Sequence, residues 1–106
     1  MPKQTDQLCE QLLPILRKYH IQKAILFGSW ARGEATRRSD VDLILVQNTE
    51  KRFLERYDGI FYEMNKVIAD RVVELLIYTP DELAAISHRP FIARALKEGK
   101  VIYESK

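Results

Sequence analysis

The chain of 106 residues carries one cysteine, Cys9, so no internal disulfide can form and a disulfide-stapled scaffold is excluded. No apolar run approaches the ~20 residues that a membrane-spanning helix needs. The net charge is only +2, too small to argue for nucleic acid, and there is no strong basic stripe. The opening Met1-Pro2-Lys3-Gln4-Thr5-Asp6 lacks the apolar centre of a signal peptide. No repeat, linker or low-complexity tract interrupts the chain. Together these absences set the expectation of a cytoplasmic protein with no membrane contact. With 46% apolar and 30% charged residues, it should fold as a single domain over residues 1–106, with a modest core.

What is present is a clear alternation of periods. Leu8, Leu12, Ile15, Leu16 and Tyr19 recur at three- and four-residue steps, which predicts a helix over residues 5–19, kinked or weakened at Pro14. Residues 22–27 read as a strand ending at Gly28, and residues 41–46 as a buried, β-branched strand. A second long helix is predicted over residues 50–69, with Phe53, Tyr57, Phe61, Met64 and Ile68 as its inner stripe, Leu54 widening it, and Gly59 weakening its middle. Residues 71–78 form a third strand. Thr79-Pro80-Asp81-Glu82 then spells a capping box with proline in the first turn. A last helix over residues 91–97 stops at Gly99, and residues 101–103 suit a short closing strand. The order is that of an α/β (α+β) fold: a small mixed β-sheet with helices packed against it.

Two short motifs carry the chemistry. Gly28-Ser29 follows an apolar strand, where a missing Cβ lets the backbone approach a ligand. If Ser29 opens a helical turn, its free amides favour an anion. The alternative is an ordinary strand-to-helix turn. Ten residues on, Asp40 and Asp42 alternate with Val41 and Leu43, so both carboxylates share one face of a strand. Such a pair repels unless a cation or hydrogen bonds compensate it, and Mg²⁺ is held by one or two carboxylates plus phosphates. An isolated Asp-x-Asp would more simply be a turn cap and a solvated strand residue; the preceding Gly-Ser turn favours the metal. Glu74, a charge inside the apolar run Val72-Val73-Glu74-Leu75-Leu76, is the candidate third carboxylate, with pairing to a base or an exposed edge strand as the alternatives.

The string Leu26-Phe27-Gly28-Ser29-Trp30-Ala31-Arg32-Gly33-Glu34-Ala35, followed by Ser39-Asp40-Val41-Asp42-Leu43, resembles the polymerase-β-like nucleotidyltransferase superfamily, and in particular its minimal MNT-type members that pair with HEPN-domain proteins. The resemblance covers nearly the whole chain. It implies transfer of a nucleoside monophosphate from a triphosphate, with ATP the default donor and two Mg²⁺ ions as cofactors. It further implies that Gly28, Ser29, Arg32 and Ser39 hold the nucleotide, while Asp40, Asp42 and Glu74 are the catalytic and metal-binding carboxylates. Glu74 stands where this group more often has Asp. At this length there is no room for a separate acceptor domain, so the expected acceptor is a hydroxyl on a HEPN-domain toxin partner, AMP being attached to it and the chain acting as antitoxin. Two alternatives remain: a non-catalytic antitoxin that neutralises its partner by complex formation, and a small-molecule transferase of the aminoglycoside-modifying type. Homo- or hetero-oligomers are both compatible with so small a core.

Other residues carry weaker expectations. Arg37 and Arg38 flank the proposed cradle, as Lys23 does more remotely, and each is a phosphate contact or a solvated cation. Trp30 is expected to cover one end of the core rather than stack on a base, Cys9 to be a packing residue, His20 to cap the first helix, His88 to sit in a turn, and Tyr62 to face outward.

Overall fold

The computed structural model describes residues 4–36, 39–69 and 71–105. Arg37 and Arg38 therefore lie outside the described residues. Helix α1 (Gln4–Lys18) is followed by strand β1 (Lys23–Phe27), a 3-10 turn (Gly28–Trp30) and strand β2 (Val41–Val46). A second 3-10 segment (Phe53–Tyr57) leads into helix α2 (Ile60–Val67) and strand β3 (Val73–Tyr78). Helices α3 (Pro80–Ile86) and α4 (Pro90–Glu98) and strand β4 (Lys100–Glu104) complete the order.

The four strands form one mixed sheet in the order β3-β2-β1-β4. β1 runs antiparallel to both β2 and β4, whereas β2 and β3 are parallel. Strand alternation divides the side chains between two faces. Ala24, Leu26, Val41, Leu43, Leu45, Val73, Leu75 and Ile77 join the α1 residues Leu8, Leu12, Ile15 and Leu16 and the α2 residues Ile60 and Met64 in the main core. Ile25, Phe27 and Ile44 pack on the opposite face against Ala95 of α4. Asp42 and Glu74 have the parity of that second face, which is why they escape the main core.

α1 continues through Pro14, which lies on the exposed side of the helix where water can satisfy the carbonyl a proline leaves free. It ends at Lys18, and the turn that follows places His20 in the left-handed region (φ 56°), with the His20 and Ile21 amides returning to the Arg17 and Leu16 carbonyls. The Thr79–Glu82 capping box is formed in both directions.

The single long helix expected over residues 50–69 is not observed. It is divided at Gly59, where φ is 81° and a Cβ would lie 2.5 Å from the Tyr19 hydroxyl. Upstream, Arg56 turns inward, 8% exposed, and its guanidinium binds the Glu82 carboxylate at 2.5 and 3.0 Å and the Ile77 and Lys51 carbonyls. A charge buried on that side is incompatible with a continuous apolar stripe. The stripe is instead Ile60, Met64 and Ile68, while Phe61 (45% exposed) and Leu54 (78%) face outward. Phe53 lies at the rim against the rings of Tyr57 and Tyr78. Tyr62 is exposed, as expected.

Candidate functional site

The motif residues meet at one end of the sheet. In the β ladders Phe27 opposes Asp42, and Asp42 in turn is registered with Glu74. Three adjacent strands thus deliver one residue each to the same row. Gly28 follows immediately, with φ of 73°, and a Cβ there would collide with the Asp42 carboxylate. Gly28 is needed twice over: left-handed backbone disfavours other residues, and the approach of β2 leaves no volume for a side chain.

Burial pushes the Asp42 carboxyl up, a hydrogen bond and the charge of Glu74 push it further, and the charge of Asp40 adds to both, bringing it to about 7. Arg32 opposes this from the other side. The carboxylates are therefore close enough to compete for protons, the situation that a bound cation relieves.

Phe27, Gly28, Arg32, Asp42 and Glu74 line a cleft of about 220 Å³ whose far wall is α4, contributed by Phe91, Arg94, Ala95 and Glu98. Asp40 is half-buried at the entry to β2 and acts on Asp42 through its charge without lining the cleft. Ser29 sits in the 3-10 turn, half-buried beside the cleft. Ser39 is further off: its hydroxyl accepts from the Thr36 amide at 2.8 Å. Its carbonyl, with that of Thr36, accepts from Arg71 Nη1. The same guanidinium stacks on the Trp30 ring, 4.9 Å from its centroid. Trp30 is core, as expected, although its Nε1 is buried without a hydrogen-bond partner among the described residues.

Among the described residues no three His, Cys, Asp or Glu side chains form a ready metal cage. The donor set nevertheless fits Mg²⁺. Asp42 and Glu74 present hard carboxylate oxygens at an open cleft, and this ion commonly completes its shell with water and substrate phosphates. Glu74 is exposed on the edge strand β3, which resolves how a charge is carried within that apolar run.

The profile of the polymerase beta nucleotidyltransferase family matches residues 10–106. The chain belongs to that family. It is 35% identical over 91 residues to a candidate protein adenylyltransferase of Methanocaldococcus jannaschii, covering 76% of this chain and 56% of that protein. The chain thus spans little more than half the length of that relative. A second candidate protein adenylyltransferase of the same organism is 34% identical over 73 residues, covering 69% of this chain and 76% of that protein. Among solved structures, the fold is similar to that of a toxin–antitoxin structure with AMP-PNP (TM-score 0.67, 18% identity, 92% of this chain and 74% of that one). It is also similar to a chain of the complex between the tri-AMPylated HEPN toxin and MNT antitoxin of Shewanella oneidensis (TM-score 0.62, 14% identity, 95% and 73%).

Sequence reasoning about this family member missed the α4 wall. Phe91, Arg94, Ala95 and Glu98 stand at i, i+3, i+4 and i+7, so one helix face was legible, but nothing local said that it would meet the carboxylates. Arg71 was also missed, because its role depends on carbonyls more than 30 residues away in sequence.

Proposed function

We propose that the chain transfers AMP from ATP, in a Mg²⁺-dependent reaction, to a hydroxyl on a HEPN-domain protein and thereby acts as its antitoxin. The observation that carries this reading is the row Phe27–Asp42–Glu74 with Gly28 pressed against Asp42, which supplies a phosphate approach and metal-binding oxygens within one cleft. The names of the relatives, and the HEPN and MNT components of the structural neighbour, support the acceptor.

Asp40, Asp42 and Glu74 would hold the metal, two ions in all, which when bound neutralises the triphosphate and acidifies the acceptor hydroxyl. The chain's own residues do the rest. The bare Gly28 backbone admits the phosphates, the first amides of the 3-10 turn and the Ser29 hydroxyl donate to them, and Arg32 balances their charge. Glu74 takes the proton of the acceptor hydroxyl as its oxygen bonds to the α-phosphorus. The bond from that phosphorus to the bridging oxygen breaks, and pyrophosphate leaves. A cleft of about 220 Å³ is smaller than the ~300–1,000 Å³ of usual small-molecule sites, which supports a site completed by the acceptor protein.

The test is transfer of label from α-labelled ATP to the HEPN-domain protein with Mg²⁺, beside an Asp40→Ala, Asp42→Ala control. Label on the partner that vanishes in the control supports the reading. Tight association with no label in either sample would sink it in favour of neutralisation by binding alone.

A further inference from the structure

We propose that α4 is the second wall of the nucleotide site, with the Phe91 ring receiving the base and Arg94 sharing the polyphosphate with Arg32. The inference rests on the nucleotidyl-transfer reading and names residues that neither the motif nor the family resemblance supplies.

Phe91 is 59% exposed, yet it is held edge-on against Phe27 with ring centroids 5.8 Å apart. More than half of this ring is exposed at the cleft, beside Phe27, which shares its row with Asp42. Its neighbours on the same helix face are ionic. Glu98 accepts from Arg94 Nε at 3.3 Å and lies 3.7 Å from Arg32 Nη1. One carboxylate on the last turn of α4 therefore keeps two guanidiniums, from separate elements, on the rim of one cleft. Arg32 is further held by Glu34 at 2.7 Å. One cleft is thus lined by two guanidiniums joined through Glu98, by the Asp42 and Glu74 carboxylates and by an exposed ring. That set matches a metal-bound nucleoside triphosphate: its metal goes to Asp42 and Glu74, its charge to the guanidiniums and its flat base to the ring.

The experiment measures binding by calorimetry with Mg²⁺ present. The two probes are α,β-methylene-ATP, which lacks the oxygen bridge that would be cleaved, and inorganic tripolyphosphate, which lacks a base. Phe91→Leu keeps the apolar contact to Phe27 and removes the ring. It should weaken the nucleotide about tenfold, as loss of base stacking does, and leave tripolyphosphate unchanged. Arg94→Gln should weaken both probes to a similar degree, about tenfold. Arg89→Gln, the same charge change at the exposed N-cap of α4 outside the cleft, should alter neither. If the wild-type chain binds both probes and the Phe91 and Arg94 variants bind like it, the α4 wall is wrong while nucleotidyl transfer stands. If the wild-type chain binds neither probe, alone or with the HEPN-domain protein added, both readings fall. Equal losses from Arg94→Gln and Arg89→Gln also overturn the proposal, because that result is long-range charge and not a contact.

Discussion

Asp42 on β2 and Glu74 on β3 are partners in a parallel ladder, and their carboxyl groups share a hydrogen bond. Parallel pairing sets them side by side on the sheet face that carries α4, so the backbone register brings the two carboxyl groups together. That proximity has measurable consequences.

The first consequence is a pH dependence of opposite sign to the usual acidic residue. The folded-state value of Asp42 is raised, to about 7. Its contribution is therefore fully present below the unfolded value near 4 and is lost as pH rises through 7. Thermal melts of the metal-free chain should show stability falling between about pH 4 and 7, and Asp42→Asn should remove that slope. With the partial exposure of the group taken into account, the variant should gain roughly 1–2 kcal/mol at pH 8. Mg²⁺ should raise the melting temperature of the wild-type chain at pH 8 and should do little for the variant. A steeper slope in the variant would contradict the coupling.

Gly28→Ala should fail on two counts. Its φ is left-handed, and its Cβ would strike the Asp42 carboxylate. The strain alone is about 1–3 kcal/mol, read as a shift in the denaturant midpoint. Displacement of Asp42 by even ~1 Å should lower transfer roughly 100-fold. An alanine variant with unchanged transfer rate would show that the close approach is not needed.

The Arg56–Glu82 pair should behave as a structural lock. Arg56 also binds two backbone carbonyls, and Glu82 closes the α3 capping box. Arg56→Ala should cost about 2–3 kcal/mol in chemical denaturation, because Glu82 and those carbonyls lose their donor. The Arg56 guanidinium holds the Glu82 carboxyl down, to about 2. That part of the stability is present above the unfolded value near 4.5 and is lost as pH falls toward 2, and Glu82→Gln should flatten the acid limb.

Arg71 joins the motif loop to the start of β3 through the carbonyls of Thr36 and Ser39 and through the Trp30 ring. Arg71→Ala should speed hydrogen exchange at the Ser39 and Asp40 amides and lower the transfer rate about tenfold, while leaving the global melting temperature within a few degrees. A large loss of global stability with unchanged exchange at those amides would assign Arg71 to the core instead.

Local patterns were legible where local forces decide. β2 has the bounds expected from its β-branched run, and α1 and the capped α3 begin within a residue of their expected starts. The failure over residues 50–69 has a particular cause. Periodicity counts apolar side chains, and it could not foresee that Arg56 would be drawn inside by Glu82, or that Gly59 would adopt a left-handed turn against Tyr19. Both partners lie more than 20 residues away, and the Arg56 guanidinium is held by a carboxylate and two backbone carbonyls that no local preference encodes.

Neighbouring residues alone set the strand-turn-strand that carries Gly28, Ser29, Asp40 and Asp42, because alternation and turn chemistry act within a few residues. Which carboxylates meet was settled by the packing of the whole sheet, since β3 joins β2 by a long crossover whose register no local pattern encodes. That packing alone also set α4 opposite them, bringing Phe91, Arg94 and Glu98 to the cleft. The difference is one of range. Backbone preferences are settled by neighbours in the chain, whereas a site of opposed charges is settled by packing, once the apolar faces of separate elements have been buried against the sheet.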